Sequence, residues 1–536
     1  MDASQFDVKR LDHLGLVATF CKEIHLAEKI DAKLPKKSHL SKISNGQLLI
    51  AMLLNGLGFV SRTLHMYPEY FSDKPTERLL GPGIHPEHIN DDVMGRFLDL
   101  LYEEGVSELY EDIALTVVRY LGLEPKSINI DTTSFHLDGD YETDSDAQAI
   151  KITRGYSRDH RPELNQVILN LITENQAGLP LYMQACSGNA SDMDLFKKTI
   201  KSHVKSLKSA YNNTYFIGDA ALYTEETIKS LAEQNQLFIP RAPQKLKEVK
   251  AVLANASNAD WIELSDGYSG AWFSSNYGDV SQRWLLVKSE KAKKRESHIL
   301  DKSIYKATEK SLKSFNKLCR QKFSCESDAS KALEQWQTSE SMLVVVDSKI
   351  SKIEKRTRRG RPSSKDEIDT SFKIEGHVAT SLSAKKESEN LKGLFVLATN
   401  DLNDSLDMQF ILDEYKSQQA VERGFRFLKS PDFLTSSFFI KKPERIEALL
   451  MVMTCSLLVY AAMEHLIRRR LIETQKHFPD MKKKPSQNPT AKWVFFCFQG
   501  ISIVQIDKKK QLLTNIVERQ KVILDCLGSV FWEIYS

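Results

Sequence analysis

The spacing of apolar residues changes at about residue 123, and this change constrains the fold more than any other feature of the sequence. Before it, apolar residues recur every three or four positions, as in NGQLLIAMLLNGLGF, which is typical of amphipathic helices. From SINIDTTSFHL onward, Ile128, Ile130 and Thr132 alternate with Asn129 and Asp131, which predicts a strand. We therefore expect an all-α N-terminal domain followed by a domain built on a sheet.

The elements after this change predict the order β-β-β-α-β-α-β. VILNLIT and LYMQACSG indicate two more strands, joined by the turn-rich ENQAGLP. They are followed by the predicted helix DMDLFKKTIKSHVKSL, the strand TYFIGDA, a helix TEETIKSLAEQN capped by Thr224, and the strand LFIPRA. A three-strand meander followed by βαβ crossovers is the order of an RNase H-like sheet, so we predict an α/β fold with a mixed sheet flanked by helices.

Strand signals resume only at GLFVLATN, from Gly393 to Asn400, so the residues before it look inserted. The insertion has its own strand signals and a long basic helix, which predicts an α+β domain placed before the glutamate helix described below. The predicted organisation is a helical domain at 1–122, the first part of the sheet domain at 123–243, the insertion at 244–390, the second part at 391–470 and a C-terminal helical region at 471–536.

Composition excludes several classes of protein. The chain has 536 residues, 41% of them hydrophobic, which is ordinary for a soluble protein with sizeable cores. The most apolar run, Ala448 to Met463, is 16 residues long and therefore shorter than the roughly 20 of a membrane span, so we expect a helix buried in a large core and no membrane partner. The N-terminus lacks the pattern of a signal peptide, which argues against export.

Cysteine usage indicates a reducing compartment. The seven cysteines are odd in number and scattered, with no CxxC pair, which fits a cytoplasmic protein. Cys319 and Cys325 have no second pair after them and do not match a four-ligand zinc pattern.

Positive charge is concentrated in one stretch. The net charge of the chain is +3, but Lys288 to Arg361 alone carries 20 Lys plus Arg against 10 Asp plus Glu, a local excess of +10 that leaves −7 for the remainder. Such an excess suits a polyanion such as DNA. A solubilising helical arm explains the charge count equally well.

Three acids stand where the predicted fold would bring them together. Asp131 lies in the first strand, Asp219 ends the fourth and Glu422 lies on the helix YKSQQAVERGFRFLK. The first and fourth strands of an RNase H-like sheet are neighbours, so their acids can converge. Three converging carboxylates repel one another unless cations lie between them, and oxygen ligands favour Mg²⁺ or Mn²⁺. A pair of such ions stabilises the attacking and leaving oxygens of a phosphoryl transfer.

Weaker candidates and alternatives remain beside this site. Taken singly, an aspartate at a strand end is commonly a turn former or cap. Asp138 and Asp140 in HLDGDY fit a turn better than a metal site, and His136 and His160 could orient phosphate or water, although a lone histidine is more often structural.

The helix carrying Glu422 has a polar face. Tyr415, Gln418, Glu422 and Lys429 are at offsets 0, 3, 7 and 14, and at roughly 100° per residue they fall within about 60° of one another. Considered alone, such a face is usually a solvated surface.

The spacing of these residues resembles the signature of DDE transposases of bacterial insertion sequences. In the branch with a YREK-type signature the pattern is Y, two residues, R, three residues, E, six residues, K, and this chain has glutamine at position 418 in place of arginine. NIDTTSF and FIGDAALY are similar to the strands of the first and second aspartates, with Ala221 where many relatives carry glycine. GYSRDHRPELNQ and RFLKSPDFLTSSFFIKKPERIEAL also resemble this branch, and the similarity covers about residues 10 to 470.

The resemblance implies roles for individual residues. Asp131, Asp219 and Glu422 would be the metal ligands, holding two Mg²⁺ or Mn²⁺ ions, while Tyr415 and Lys429 would contact DNA phosphates near the cleaved bond. Gln418 can hydrogen-bond a phosphate, but it lacks the charge and the bidentate fork of arginine. Tighter binding of the DNA end could then fall to its neighbours, Arg423 or Arg426.

The resemblance also implies that the insertion lies over the active site and touches DNA. Within it, Arg359, Gly360, Arg361 and Pro362 spell RGRP, the core of an AT-hook-like element that suits a narrow A/T minor groove. A plain flexible basic loop explains these four residues equally well.

The leading hypothesis is a transposase that frees 3′-hydroxyls at the ends of an insertion sequence and joins them to target DNA. The resemblance implies that the N-terminal helices recognise terminal inverted repeats, that a homodimer holds the two ends, and that the protein acts at the nucleoid in the bacterial cytoplasm. Two alternatives are a DNA-binding derivative that has lost its chemistry and an RNase H-like nuclease that cuts without strand transfer.

Overall fold

The fold is that of a computed structural model, which describes residues 6–35, 41–59, 63–137, 141, 149–156, 161–211, 215–340, 342–356, 368–430, 440–506 and 510–536. The chain divides into two compact units. The first unit comprises Met1–Arg241, Asn276–Gln282 and Ala398–Ser536, and the second comprises Ala242–Ser275 and Arg283–Leu397.

The N-terminal region is helical, as its apolar spacing predicts, except for one strand at its start. Its helices have clear end signals: the Ser44 hydroxyl accepts a hydrogen bond from the backbone N–H of Gln47 in a capping box, and Gly122, with a φ of 63°, ends the last helix in the left-handed conformation. The elements are β1 (Phe6–Arg10), α1 (Leu14–Glu23), α2 (Leu26–Lys33), α3 (Asn45–Leu57), α4 (Tyr67–Ser72), α5 (Thr76–Leu80), α6 (Asp91–Glu104) and α7 (Val106–Leu121).

A mixed sheet follows in the predicted order. Its elements are β2 (Ser127–Leu137), β3 (Asn165–Glu174), β4 (Pro180–Ser187), α8 (Asp192–Tyr211), β5 (Tyr215–Gly218), α9 (Glu225–Glu233) and β6 (Leu237–Ala242). The strands are arranged β4-β3-β2-β5-β6, with the meander β2-β3-β4 antiparallel and β5 parallel to both β2 and β6. Thr224 caps α9 as predicted, since its side chain accepts from the N–H of Thr227. The β-β-β-α-β-α-β order and the mixed sheet flanked by helices are therefore confirmed.

The second unit has its own strands and a long basic helix. Its elements are α10 (Lys247–Ala254), β7 (Ile262–Leu264), β8 (Tyr268–Ser275), β9 (Gln282–Ser289), α11 (Glu290–Arg320), α12 (Glu326–Ser339), β10 (Leu343–Arg356), β11 (Ile368–Thr380), α13 (Leu382–Asn390) and β12 (Leu394–Thr399), with β12-β9-β8-β7 as neighbours. Strands β10 and β11 form a long antiparallel hairpin. Phe315 from α11, Ala329 from α12 and Ile374 from β11 form the centre of a small core cluster.

The chain then returns to the first unit. The elements there are α14 (Met408–Ser417), α15 (Gln419–Leu428), α16 (Pro443–Glu473), β13 (Phe478–Pro479), β14 (Pro485–Ser486), α17 (Ala491–Cys497), β15 (Ser502–Ile506), β16 (Lys510–Thr514), α18 (Glu518–Leu527) and α19 (Ser529–Glu533).

The two chain ends differ from the purely helical prediction. Strand β1 pairs antiparallel with β15, and β15 pairs with β16, so the N-terminal strand completes a three-stranded sheet with the C-terminal region. The strands are only five residues long; β1 and β15 lie almost 500 residues apart, whereas β15 and β16 are adjacent in sequence. Pairing between segments as distant as β1 and β15 leaves no local pattern, which is why the expectation of an all-α N-terminal domain was incomplete. The expectation of a helical C-terminal region was incomplete because it overlooked the local hairpin β15–β16.

Helix α16 connects the N-terminal helices to the sheet. Among the described residues it is the one helix with the length and apolar composition of a membrane span, and 78% of its most apolar stretch is buried inside the protein. It packs against α3, α6, α7 and β4. Near its start Arg445 donates two hydrogen bonds of 2.7 Å to the Asp99 carboxylate, and this contact holds the pKa of Asp99 below its usual value. The predicted buried core helix is confirmed.

Candidate active site

The register of the parallel strands brings Asp131 and Asp219 to the same level of the sheet. Asn129 on β2 is paired with Ile217 on β5, and each aspartate lies two residues further along its strand. Residues at the same level of adjacent parallel strands are about 4.8 Å apart and point to the same face. Asp131, in the middle of β2, and Asp219, directly after the carboxyl end of β5, are therefore neighbours.

Backbone hydrogen bonds orient the two carboxylates. Asp131 Oδ1 accepts from the N–H of Thr132 at 2.7 Å, and Asp219 Oδ1 accepts from the N–H of Ala221 at 2.9 Å. Ala221 does not have a positive φ, so the turn after Asp219 does not require glycine there. The constrained glycine is Gly218, where an added Cβ would lie 2.6 Å from the Leu222 side chain.

Helix α14 is fixed to the face of β2 that carries Asp131. Ser127 donates a short hydrogen bond to the Glu414 carboxylate, and Asn129 Nδ2 donates to Ser417 Oγ at 3.5 Å. Ser127, Asn129 and Asp131 alternate along the strand and therefore share a face. Helix α15, which follows α14 directly in the chain, also contacts β2.

The structure divides the predicted helix YKSQQAVERGFRFLK into α14 and α15, with Gln418 at the junction. This corrects the expectation of one continuous helix. Gln418 nevertheless keeps helical dihedral angles (φ −54°, ψ −25°), and its carbonyl accepts from the N–H of Glu422 at 3.4 Å. Tyr415 and Glu422, about two turns apart, consequently remain close to each other across the junction.

Tyr415 lies near charged residues from both the sheet and α15. It is half-buried, and burial raises the pKa of its hydroxyl. The Arg241 guanidinium donates a hydrogen bond to the Tyr415 oxygen and lowers this pKa, whereas the Asp219 and Glu422 carboxylates raise it. The structure thus places Asp219, Glu422 and Arg241 around one phenol.

The other predicted contact residues lie on different sides of α15. Lys429 caps its C-terminal end and is half-buried, while Arg426 is exposed. Arg423 is also exposed, but it lines a cleft of about 420 Å³ together with Tyr460 and Arg468 of α16. It is one residue from Glu422 and hence about 100° around the helix from it.

The donor set suits a hard divalent cation. The three acids offer only carboxylate oxygens, which Mg²⁺ and Mn²⁺ prefer. Within the described ranges, however, no group of three or more His, Cys, Asp or Glu side chains is already assembled as a metal site. Asp131 and Asp219 are brought together by the sheet, and Glu422 lies at an exposed position on α15, near Tyr415.

Several sequence candidates stand apart from this site or cannot be placed. His136 lies on β2 opposite Gln166 of β3, five residues beyond Asp131. Arg359, Arg361, Asp138, Asp140 and His160 lie outside the residues that the structure describes.

Sequence reasoning missed Arg241, Glu414 and Ser417. Arg241 had a usable signal, because it is the one charged residue in the otherwise apolar strand LFIPRA. This signal marks Arg241 as unusual, but its place beside Asp219 follows only from the strand register. Glu414 and Ser417 had no such signal, since polar residues on a helix are ordinary.

Comparisons with solved structures find distant likenesses to transposases. A cryo-EM structure of the piggyBac transposase synaptic complex with hairpin DNA matches at 9% identity with a TM-score of 0.39, covering 90% of this chain and 80% of that one. The Mos1 transposase paired-end complex with left transposon end matches at 10% identity with a TM-score of 0.15, covering 38% and 60%. At these scores neither likeness supports a further conclusion. No curated protein sequence matches the chain.

Family models match most of the chain. Residues 6–115, the N-terminal helical region, match a domain of unknown function (DUF4277). Residues 128–459 match the model described as the transposase DDE domain, and this match begins in β2 and ends within α16, so it contains Asp131, Asp219 and Glu422. Because it spans more than half of the sequence, the chain belongs to the DDE transposase family.

Proposed function

We propose that this protein cleaves DNA at the ends of an insertion sequence and joins the freed ends to target DNA. The family accounts for transposition and DNA cleavage in general. The observation that carries the specific proposal is that Asp131 and Asp219 lie level with each other on adjacent strands, with the helix pair carrying Glu422 fixed to the face of β2 that carries Asp131.

We propose Asp131, Asp219 and Glu422 as the ligands of divalent metal ions, with Mg²⁺ or Mn²⁺ as the ion and two as the number. DDE transposases generally use divalent metal ions. When bound, such ions stabilise the oxygens that attack and leave during phosphoryl transfer. The exposed position of Glu422 leaves this side of the site open to a DNA strand.

The chain's own polar residues would position the DNA. Tyr415 and Lys429 border Glu422 on the helix pair and would hold phosphates beside the cleaved bond, with Gln418 as a neutral hydrogen-bonding partner. Arg426, exposed one turn after Glu422, adds a charge on the same side, and Arg423 would bind DNA further round the helix.

The proposed chemistry consists of two displacements at phosphorus. In the first, water attacks the phosphodiester at the element end, the bond to the 3′-oxygen breaks, and the products are a 3′-hydroxyl and a 5′-phosphate. In the second, this 3′-hydroxyl attacks a target phosphodiester, a new bond forms, and the target strand leaves with its own 3′-hydroxyl. Each step moves one proton from the nucleophile to the leaving oxygen or to solvent.

Other parts of the chain would bring the DNA to this site. We propose that the N-terminal helices recognise the terminal repeats, that the basic second unit binds the DNA backbone, and that a homodimer holds two ends. The RGRP segment with Arg359 and Arg361 would add a minor-groove contact. A reducing bacterial cytoplasm, with the nucleoid as the place of action, suits a chain whose seven cysteines are all free thiols.

The test uses the purified protein with a plasmid that carries the gene and its flanking DNA, in the presence of Mg²⁺. We expect nicks at the boundaries of the element, and joined products when pre-cleaved ends are supplied with a second plasmid. Glu422→Gln should abolish both, whereas Glu233→Gln, an exposed acid on α9, should leave both unchanged.

Two other outcomes would replace the proposal. Cleavage without joining would identify a nuclease that lacks strand transfer. DNA that is bound but never nicked, with Glu422→Gln behaving like the parent protein, would identify a DNA-binding derivative without chemistry.

A further inference from the structure

The polar face that carries Glu422 has no positive charge at position 418, where the YREK-type signature has arginine. Position 418 holds glutamine, which can hydrogen-bond a phosphate but supplies neither a positive charge nor a bidentate fork. The nearby cations on α15 itself do not fill this place, because Arg423 lines a cleft against α16 and Arg426 lies a full turn beyond Glu422. The charge has to come from another element.

Arg241 lies beside the two aspartates in the sheet. Gly218 on β5 is paired with Pro240 on β6, so one step further places Arg241 level with Asp219. The same register places Asp131 on the other side of Asp219. The neighbouring strands β2, β5 and β6 therefore present, at one level, a row of aspartate, aspartate and arginine, and residues at one level of a sheet point to the same face.

Arg241 also contacts the helix pair. Its guanidinium donates a hydrogen bond to the hydroxyl of Tyr415, three residues before Gln418 and on the same face. An arginine at 418 would lie one helical turn from Tyr415 and reach this same place. Arg241 of β6 therefore places a guanidinium beside the helix position at which Gln418 is uncharged.

We propose that Arg241 is the cation that binds the DNA phosphate next to the cleaved bond, in place of an arginine at position 418. This rests on the proposed function. A guanidinium has five N–H donors in a planar fork, so it can contact the Tyr415 hydroxyl and the phosphate oxygens at once. Its place at the end of β6 holds it next to Asp219, so the phosphate it binds is the one beside the metal ligands.

The test measures DNA binding in protein that cannot cleave. All variants carry Glu422→Gln, and the probe is a fluorescently labelled duplex taken from the DNA that flanks the gene, titrated over a range of salt concentrations. When a protein neutralises one phosphate fewer, the slope of log affinity against log salt falls by about 0.9. We expect this reduction in Arg241→Gln, together with affinity lower by roughly tenfold, because the hydrogen bond that is removed involves a charged group.

A second substitution separates phosphate binding from a merely structural role. Adding Gln418→Arg to Arg241→Gln should restore both the slope and the affinity, since the charge returns to the same place from the helix side. Arg519→Gln, an exposed arginine in the C-terminal region, is the matched control and should change neither quantity.

An unchanged salt slope in folded Arg241→Gln would overturn the proposal, and so would failure of Gln418→Arg to restore the slope. If Arg241→Gln does not fold, Arg241→Lys is measured instead, because lysine keeps the charge but not the planar fork of arginine. Lower affinity at an unchanged salt slope would then support the proposal, and unchanged affinity would contradict it. Because cleavage plays no part here, loss of strand transfer in the parent protein would refute the proposed function while leaving this result intact.

Discussion

The 31-residue helices of the two compact units bury their side chains to very different extents. In the first unit, α16 buries 17 of its 31 residues and packs against both the N-terminal helices and the sheet. In the second, α11 runs for 31 residues, all of them described, and buries only Ile304, Ser311 and Phe315. The basic excess of the sequence falls in this second unit. Deep burial suits the precise placement of a few carboxylates, whereas a thin core with a large charged surface suits contact with a polyanion.

The largest expected effect is loss of cleavage when one acid of the first unit is changed. Asp219→Asn removes a proposed metal ligand, and since metal-ion stabilisation is worth several kcal/mol, plasmid nicking should slow by at least about 10³-fold. Asp260→Asn, an exposed acid of the second unit, should leave the rate unchanged. Equal loss of nicking in both variants would contradict the assignment of catalysis to acids of the first unit.

The next largest expected difference is in stability, when one apolar side chain of each unit is shortened. Leu458 on α16 is fully buried, so Leu458→Ala should lower the free energy of unfolding by about 2–5 kcal/mol. Ile299 on α11 is 58% exposed, and Ile299→Ala should change it by less than about 0.5 kcal/mol. Urea unfolding followed by circular dichroism measures both. A comparable loss in Ile299→Ala would show that α11 is packed more firmly than its exposure indicates.

Removal of positive charge should weaken DNA binding more in the second unit than in the first. Replacing three exposed lysines of α11 by glutamine should weaken DNA binding and reduce the salt slope by about 0.9 for each phosphate that is no longer neutralised. Replacing three exposed lysines of the first unit should have a smaller effect on binding. Titration of a labelled duplex measures both sets, which are Lys302, Lys306 and Lys313 in the second unit, and Lys22, Lys126 and Lys198 in the first. An equal reduction of the salt slope in both sets would contradict the proposal that the second unit binds the DNA backbone.

The last prediction concerns the pH dependence that a carboxyl on α16 gives to stability. Burial raises the pKa of Glu447 from 4.5 to about 7, although the N–H of Ile150 donates a 2.8 Å hydrogen bond to it. Between these two values the folded protein holds a proton that the unfolded chain has lost, so stability should fall as pH rises from about 4.5 to about 7. Glu447→Gln should remove this fall, as measured by melting temperature against pH, while Glu309→Gln on α11 should retain it. A profile unchanged by Glu447→Gln would assign the dependence to another group.

Local patterns were enough to predict the order of strands and helices in the sheet. The alternation in SINIDTTSFHL, the apolar run of TYFIGDA and the cap at Thr224 each depend on neighbours within a few residues, and the structure confirms all three elements. Strand β1 was missed because its pairing with β15 spans the length of the chain, whereas β15 and β16 form a local hairpin that the sequence analysis did not identify. The break at Gln418 was missed for a related reason, since its dihedral angles are helical and nothing in its neighbours marks a boundary.

The candidate site was predicted in part. The three acids and the residues around Glu422 could be named from spacing and resemblance, because they fall in recognisable segments. Arg241 could not be assigned a role in this way, since its significance comes from being level with Asp219 on the next strand and in contact with Tyr415.

The sequence by itself determined the family, the element order of the sheet and the residue types available for metal and phosphate, because these depend on periodicity and spacing along the chain. Only the tertiary structure decided which of these residues share one face. Strand register placed Asp131, Asp219 and Arg241 at one level, and the hydrogen bonds from Ser127 and Asn129 fixed the helix pair over them. Register and docking depend on contacts between segments that are far apart in sequence, so no single segment encodes them.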